Sequence, residues 1–396
     1  MILPDAAWRG RPGLVELAAA LGPGEARYVG GAVRDTLLGL DVADIDVATR
    51  HPPETVVTLL QAAGIKAIPT GIAHGTITAV AHGTVVEVTT LRRDVETDGR
   101  HASVAFTDDW REDAARRDFT INALYAEPVE GAIFDPFGGL DDLAARRVRF
   151  IGDPLQRIAE DHLRILRFFR FLARFGDAPD PGGLEACTLR ANDLMALSRE
   201  RIRDELLKLL VARDAVPVLM LMEERGILRP VVPEITAEGI ATLQRLAARE
   251  AEAGVAADAL RRLTALVPAS VLDSVAARLK LSNAGRKRLA IASDVGSVAH
   301  PHALAYRVGV EGAVDQLLIG DAPLAGIADL ASWSPPTLPL SGGALVAAGL
   351  RKGPLVAATL KRIEDRWVEE RFPPAERVDG IAAEEIAQAL RSDSNA

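Results

Sequence analysis

The chain has 396 residues, which is enough for two or three domains with a substantial core. Hydrophobic residues make up 48% and charged residues 26%, a balance typical of folded proteins that excludes a disordered chain. The net charge of −9, taken alone, disfavours a polyanionic partner, although local basic patches can still bind one.

A single cysteine, Cys187, excludes an intramolecular disulfide and a cysteine-based zinc cluster, and it favours a reducing, cytoplasmic location. We expect its side chain to be a small buried apolar group. The first eleven residues lack an apolar signal core, and no run of about 18 apolar residues predicts a membrane span.

The first 150 residues mix strand and helix signals. In chain order they predict a strand over 27–31, a helix over 32–38, a strand over 44–49, a helix over 52–63, strands over 76–80 and 84–91, and strands over 119–126, 132–134 and 148–151. The polar segment 92–117 has no clear period and predicts a long loop. From residue 154 the pattern is helical, with helices over 154–175, 199–212 and 355–372 and several between 214 and 300.

Two glycines and two aspartates carry the first chemical signal. Gly30 and Gly31 stand between a predicted strand and a helix, where the backbone can approach a bulky anion, and Arg34 follows on that helix. Asp44 and Asp46 are two residues apart in a predicted strand, so both carboxylates share one face. Because Mg²⁺ binds carboxylates together with substrate phosphates, this pattern predicts a nucleoside triphosphate site.

Five motifs follow one another over residues 27–206. They are GGAVRDTLLG with DID, RRDFTINA at 116–123, DPFGG at 135–139, EDHLR at 160–164, and ERIRDEL at 200–206. In this order they resemble the DNA polymerase β-like nucleotidyltransferases, specifically the class II CCA-adding tRNA nucleotidyltransferases and their bacterial poly(A) polymerase relatives.

The resemblance implies an α+β fold with a mixed-sheet nucleotidyltransferase head followed by an all-helical neck, body and tail. It implies a catalytic head at 1–150, a neck at 151–215 that recognises the nucleotide base, and a body at 216–330 and a tail at 331–396 that bind tRNA. The implied reaction is template-independent addition of CCA to the tRNA 3′ end from CTP and ATP, with release of pyrophosphate and two Mg²⁺ ions as cofactor.

The same resemblance assigns roles in the head. Asp44 and Asp46 would be catalytic and hold the metal, while Gly30, Gly31 and Arg34 would meet the triphosphate. Glu87, in the strand 84–91, would be a third carboxylate, and the alternative for it is a surface glutamate on an edge strand.

Three further head residues would contact the nucleotide. Arg117 would bind it directly, and Asp118 and Asn122 would contact the ribose hydroxyls. A salt bridge with a neighbouring arginine is the alternative for Asp118.

Four ionisable residues recur every three positions after the head: Asp161, Arg164, Arg167 and Arg170. A carboxylate only accepts hydrogen bonds and a guanidinium only donates them, so Asp161 with Arg164 would match cytosine and adenine and reject uracil and guanine. Arg167 and Arg170 would be further nucleotide contacts. An internal ion-pair network is the alternative. Glu200 and Arg201 are expected to stiffen the helices below the site.

Two rival functions stay open. A bacterial poly(A) polymerase shares the motifs, but the chain ends without a strongly basic extension. A catalytically inactive RNA-binding protein would need neither DID nor RRD.

The segment 92–116 corresponds to a family loop whose presence favours full CCA addition. The cluster from Arg278 to Arg288 either touches tRNA phosphates or forms a solvated helix face.

Overall fold

The computed structural model describes residues 1–98, 101–296, 300–320 and 322–393. They form two compact units, Met1–Ile235 and Thr236–Ala396. The strands are β1 (Ala26–Val29), β2 (Asp46–Thr49), β3 (Lys66–Gly71), β4 (Thr76–Ala81), β5 (Thr84–Thr90), β6 (Arg92–Asp98), β7 (His101–Phe106), β8 (Tyr125–Ala126), β9 (Ile133–Phe134), β10 (Arg147–Val148) and β11 (Ala178–Pro179). All of them lie in the first unit.

The helices account for most of the remaining chain. Those of the first unit are α1 (Leu14–Leu21), α2 (Gly31–Leu37), α3 (Pro53–Ala62), α4 (Trp110–Ala115), α5 (Gly139–Ala144), α6 (Pro154–Glu160), α7 (Leu163–Phe175), α8 (Pro181–Leu189), α9 (Arg199–Leu210) and α10 (Ala215–Glu224). Those of the second unit are α11 (Ala237–Glu252), α12 (Ala259–Leu266), α13 (Ala269–Arg278), α14 (Asn283–Ser293), α15 (Pro301–Val308), α16 (Val310–Ile319), α17 (Ile327–Leu330), α18 (Gly342–Ala347), α19 (Pro354–Glu369) and α20 (Ala375–Asp393). A mixed sheet followed by helices confirms the predicted fold class.

Seven of the described strands form one sheet in the order β3-β4-β5-β2-β1-β8-β9. Strands β2 and β5 are parallel, and the other neighbours are antiparallel. Strand β5 alternates, with Val86 and Val88 fully buried and Val85 and Glu87 exposed. Helices α1 and α3 cover the buried face. Burying each such valine contributes about 1.5–3 kcal/mol, so the alternation fixes which face carries Glu87.

The structure differs from the predicted elements of the head in several places. The segment 92–117 is not a loop in its described residues: β6 pairs with β7 and α4 follows, while residues 99 and 100 lie outside the description. Strand β3 was not predicted. The predicted strand over 119–126 shortens to β8, because a 3-10 turn at Thr120–Asn122 precedes it.

The predicted helix over 154–175 is two helices, because Asp161 is extended (φ −152°, ψ 106°). Its carboxylate accepts a hydrogen bond from the N–H of Leu163 at the start of α7 (3.1 Å). A side chain that satisfies an N-terminal N–H favours a new helix start over continuation. Asp161 therefore does not share a helix with Arg164, Arg167 and Arg170.

A cluster of phenylalanines fixes α7 to the residues that precede it. Phe150 and Phe168 stack at 5.5 Å with nearly parallel rings, and Phe119 lies 4.9 Å from Phe150 and 5.2 Å from Phe171. All four are buried. Since Phe119 follows the RRD motif directly, this packing sets the position of α7 relative to that motif.

The second unit is helical throughout its described residues. Its core includes Leu345, Ile363, Trp367 and Ile381. In the basic cluster, Arg286 pairs with Asp273 (2.8 Å), while Arg288 bonds to the buried Asp315 (2.8 Å) as well as to Asp258 and Glu311. The charges of these two arginines are thus matched locally. Helix α20 lies in the predicted all-helical tail, although its bounds were not predicted.

Among the described residues, no helix is both long enough and apolar enough to cross a membrane. Cys187 is buried and free, as predicted, and burial raises the pKa of its thiol. The division at 150, 215 and 330 stays a prediction.

Candidate active site

The glycine pair lies where β1 ends and α2 begins. Gly30 has φ 65° and ψ −115°, a conformation that is essentially restricted to glycine. A Cβ at Gly30 would lie 3.5 Å from Nη1 of Arg117 and from the carbonyl oxygen of Asn122. The backbone at this turn therefore stays close to the side chains of the RRD motif and leaves room beside them.

The carboxylates lie at the edge shared by β2 and β5. Asp46 begins β2 and is the direct register partner of Glu87 on β5. Asp44 precedes the strand instead of lying in it, and it is exposed. Burial raises the pKa of Asp46, and the charges of Glu87 and Asp44 raise it further, against the opposing charge of Arg117.

The carboxylates around Asp46 have the chemistry that a divalent metal site requires. The carboxylates of Glu87 and Asp44 lie near enough to Asp46 for their charges to act on it, and such a group of carboxylates is the donor set that a divalent cation stabilises. In the described part of the chain, no three His, Cys, Asp or Glu side chains converge as a complete cage. Two carboxylates plus substrate phosphates is the set that Mg²⁺ commonly uses, so the residues fit a metal bound together with the nucleotide.

A cleft of about 400 Å³ adjoins Asp46. Its described lining includes six arginines but only three aspartates. The charged lining residues are Arg34, Arg116, Arg117, Arg164, Arg167, Arg201, Asp46, Asp118 and Asp161. A chain with a net charge of −9 thus carries a local excess of positive charge next to its paired carboxylates. Such a cleft attracts a polyphosphate.

A chain of hydrogen bonds crosses the floor of this cleft. Nη1 of Arg34 donates to Oδ1 of Asn122 (2.5 Å), and Nδ2 of Asn122 donates to Oδ1 of Asp118 (2.9 Å). Oδ2 of Asp118 accepts from Nε of Arg167 (2.7 Å). Arg34 is only 5% exposed, and its guanidinium lies 4.3 Å from the ring of Phe175. These side chains are therefore pre-organised.

Asp118 forms the salt bridge that was its predicted alternative. Burial alone would raise the pKa of Asp118, but the charge of Arg167 and the hydrogen bonds from Asn122 and Arg167 outweigh it and hold that pKa below its usual range. Asp118 therefore carries its negative charge at neutral pH.

Arg117 is held by a second buried carboxylate, Asp113 of α4. Nη2 of Arg117 donates to Oδ2 of Asp113 (3.2 Å), which also accepts from the hydroxyl of Tyr125 (2.7 Å). Burial would lower the pKa of Arg117, but Tyr125 and Asp113 raise it above its ordinary value. Asp113 also accepts from the N–H of Arg92 (3.2 Å), which links the start of β6 to the cleft.

Asp161 and Arg164 both line the cleft, but they do not pair with each other. Oδ2 of Asp161 accepts from Nη2 of Arg201 (2.7 Å). Arg164 donates to Glu160 (2.5 Å), to the carbonyl oxygen of Arg157 (2.9 Å) and to that of Arg116 (3.0 Å).

Arg170 is the one predicted nucleotide contact that does not line this cleft. Its Nε donates to Oε2 of the buried Glu205 (2.5 Å), as the predicted ion-pair alternative requires. Sequence reasoning missed Arg116 and Arg201 as cleft residues. The signal for both was their place in the RRD and ERIRDEL motifs.

The sheet, the paired carboxylates and the arginine-lined cleft define a nucleotidyltransferase. The family described as "Poly A polymerase head domain" matches residues 26–149, and "Probable RNA and SrmB- binding site of polymerase A" matches residues 179–238.

The chain is 37% identical over 365 residues to the human "CCA tRNA nucleotidyltransferase 1, mitochondrial", covering 87% of this chain and 82% of that protein. The zebrafish (Danio rerio) protein of the same name is 36% identical over 367 residues, covering 88% and 84%. The crystal structure of the Bacillus stearothermophilus CCA-adding enzyme in complex with CTP superimposes with a TM-score of 0.76 at 29% identity, covering 97% of this chain and 98% of that one. The chain belongs to the CCA tRNA nucleotidyltransferase family.

Proposed function

We propose that this protein adds the 3′-terminal CCA to tRNA from CTP and ATP without a template. The observation that carries the proposal is the arginine-lined cleft that meets Asp46 beside Glu87, in a chain that is 37% identical to the human enzyme over most of both proteins. The bacterial structural relative binds CTP.

The reaction is one nucleotidyl transfer repeated three times. The 3′-oxygen of the tRNA forms a bond to the α-phosphorus of CTP or ATP, the bond to the bridging oxygen of the β-phosphate breaks, and pyrophosphate leaves. The hydroxyl proton passes to solvent. When bound, two Mg²⁺ ions would lower the pKa of the attacking hydroxyl and neutralise the leaving oxygen. Asp44 and Asp46, with Glu87 beside them, would hold these ions.

The nucleotide is held by groups that are already fixed. Gly30 and Gly31 leave space for the triphosphate, and Arg117 donates to it from a position that Asp113 sets. Asn122 offers its amide to the ribose next to Arg34. Asp118 accepts a hydrogen bond from Arg167 and so holds that guanidinium in the lining of the nucleotide cleft.

Asp161 and Arg164 keep enough hydrogen-bonding capacity to recognise a base while they retain their observed partners. A carboxylate has about four acceptor positions, and Asp161 uses two of them. Arg164 has five donors, and its three observed bonds leave two. We propose that Asp161 accepts from the exocyclic amino group of C or A, and that Arg164 donates to the adjacent ring nitrogen.

We assign tRNA binding to the predicted body and tail, residues 216–330 and 331–396. The hairpin of β6 and β7 stands where the family loop associated with full CCA addition is expected, which favours this activity over poly(A) synthesis.

We place the protein in the cytoplasm because of its single free cysteine. The human and zebrafish relatives are named as mitochondrial proteins, so cell fractionation is the test of location.

The activity test uses purified protein, Mg²⁺, a tRNA lacking its 3′ end, and each labelled nucleotide alone and in combination. Sequenced products ending in a discrete CCA, with both CTP and ATP required, are the expected result. Long A tracts from ATP alone would instead identify a poly(A) polymerase. No incorporation with any nucleotide would favour the RNA-binding rival.

Two variants test the assigned roles in that assay. Asp46→Asn should abolish incorporation at an unchanged circular dichroism spectrum, and full activity would contradict the metal assignment. The exchange of Asp161 and Arg164 for each other should relax the preference for CTP and ATP over UTP and GTP. An unchanged preference would remove the role in base recognition.

A further inference from the structure

Two neighbouring N–H donors in the head are buried without an acceptor among the described residues. They are Nη1 of Arg27, on β1, and Nε1 of Trp110, at the start of α4. The guanidinium carbon of Arg27 lies 4.3 Å from the centre of the Trp110 ring, so the two donors belong to adjacent groups. Buried polar groups in folded proteins almost always have a hydrogen-bond partner. Two such donors side by side therefore indicate a site for an acceptor from outside the chain.

Aromatic rings hold the Arg27 guanidinium. The rings of Trp110 and Phe134 lie 4.3 and 4.8 Å from its central carbon. A ring face attracts a cation but takes up none of the N–H groups in the plane of the guanidinium. Glu127 is the carboxylate whose charge attracts Arg27, but it accepts from the backbone N–H of Val129 (2.8 Å) instead. In the described part of the chain, the side-chain donors of Arg27 thus have no acceptor.

Arg50 brings a second positive charge to the same ring. Its guanidinium carbon lies 5.6 Å from the centre of the Trp110 ring, and its side chain is 39% exposed. Burial lowers the pKa of Arg27, and the charge of Arg50 lowers it further, because two like charges repel. Glu25 pairs with Arg50 at 3.9 Å, but both side chains are exposed, so this pair offsets little of the repulsion. An anion bound by both guanidiniums would offset it.

Arg27, Arg50 and Trp110, which we call the Arg27 cluster, are absent from the described lining of the nucleotide cleft. Arg27 is the register partner of Ala48, which lies two residues after Asp46 on β2. Because residues two apart in a strand point to the same side, Arg27 shares a face of the sheet with Asp46. The Arg27 cluster is therefore a separate site on the catalytic face of the head.

The donor set determines the chemistry of the ligand. Guanidinium groups and an indole N–H donate hydrogen bonds and accept none, so the ligand must be negatively charged and rich in acceptors. The fork of an arginine matches the oxygens of a phosphate group. We propose that the Arg27 cluster binds a phosphate group, with Arg27 and Trp110 donating to it from the buried side and Arg50 from the solvent side. The group belongs either to free inorganic phosphate or to the backbone of tRNA.

The first test measures phosphate bound outside the nucleotide cleft. The full chain is dialysed to equilibrium with labelled inorganic phosphate while CTP saturates the nucleotide cleft, and tRNA is left out so that no transfer occurs. The wild-type protein should bind one phosphate per chain. Arg50→Gln and Trp110→Phe should each weaken this binding by roughly tenfold, because each removes a hydrogen bond to a charged group. Trp110→Phe keeps a ring beside Arg27 and removes only the N–H donor.

Arg9→Gln is the matched control. Arg9 donates to two backbone carbonyls, those of Leu3 (3.2 Å) and Val129 (3.3 Å), and is not part of the Arg27 cluster, so its variant should bind phosphate like the wild type. Circular dichroism checks that all variants fold, and the exposed Arg50 provides a variant with little effect on the core. Equal phosphate affinity in the control, Arg50→Gln and Trp110→Phe would overturn the proposal. Absence of bound phosphate in the wild type would also overturn it, since water would then satisfy the two donors.

The second test identifies the source of the phosphate group. If the group belongs to the tRNA backbone, Arg50→Gln should reduce the slope of log K for tRNA against log salt by about one relative to Arg9→Gln. An equal slope in the two variants, together with the loss of phosphate binding in Arg50→Gln, would assign the site to free phosphate. Neither measurement depends on CCA addition, so the site can be confirmed or refuted separately from the proposed function.

Discussion

The substitution Asp118→Asn removes one charge from the hydrogen-bond chain that holds the cleft. Asp118 is 6% exposed and accepts from Arg167, Asn122 and the N–H of Phe119. Breaking one partner of a buried ion pair costs about 3–5 kcal/mol. The Arg167 side chain keeps 30% exposure, and asparagine can still accept from Phe119. We therefore expect a smaller loss of unfolding free energy, about 2–3 kcal/mol.

Denaturant unfolding and a double-mutant cycle with Arg167→Met measure this loss. A loss of about 2–3 kcal/mol corresponds to a fall in Tm of roughly 4–12 °C for a unit of this size. The cycle should give a coupling of about 1–3 kcal/mol. Asp5→Asn is the control, because Asp5 is fully exposed in its pair with Arg9 and such pairs contribute about 0–1 kcal/mol. A coupling near zero would show that Asp118 does not hold Arg167.

The same pair predicts a pH dependence with a defined sign. The pKa of Asp118 is lower in the folded protein than in the unfolded chain, so its contribution is present above the unfolded value of about 3.9 and is lost as the pH falls through the folded value. The stability gap between the wild type and Asp118→Asn should be constant between about pH 5 and 7 and shrink below about pH 4. A gap that widens in acid would refute the assignment of charge.

Two further substitutions test the frame of the site. Gly30→Ala should cost about 1–3 kcal/mol of unfolding free energy through backbone strain, and it should weaken CTP binding. Gly24 also has a positive φ (77°) but lies in open space, so Gly24→Ala should leave CTP binding unchanged. Isothermal titration with CTP distinguishes the two variants. Phe168→Ala should destabilise the first unit by about 3–5 kcal/mol in denaturant unfolding through loss of its stack on Phe150, and a cost under about 1 kcal/mol would show that the cluster is not a core.

The sequence predicted elements well where side chains alternate or turn residues are distinctive. Strands β4 and β5 have a clear two-residue period and a turn at His82 and Gly83, both at positive φ. The hairpin of β6 and β7 was missed because residues 92–98 are almost all polar and carry no such period. A strand pair can form through backbone hydrogen bonds alone, which sequence periodicity does not report.

The candidate site was predicted as a set of residues but not as a set of pairs. Of the thirteen predicted site residues, ten line the arginine-rich cleft. Asp44 and Glu87 line the adjoining cleft that shares Asp46 with it, and Arg170 lines neither. No pattern in the sequence indicates that Asp161 pairs with Arg201, forty residues away, instead of with Arg164. Partner choice depends on where α7 and α9 meet, and this contact is long-range in sequence.

The three-residue spacing of Arg164 and Arg167 on α7 matches the spacing of the acceptors that they bind in the RRD motif. Arg164 donates to the carbonyl oxygen of Arg116, and Arg167 donates to the carboxylate of Asp118. Three helical residues rise about 4.5 Å, which lets side chains one turn apart reach acceptors two residues apart in the RRD motif. Arg164 is proposed to recognise the base, and Asn122, which donates to Asp118, is proposed to contact the ribose. The two bonds from α7 therefore fix these residues relative to each other. A shift of α7 by one residue would break both bonds at once, so base choice and nucleotide placement should fail together.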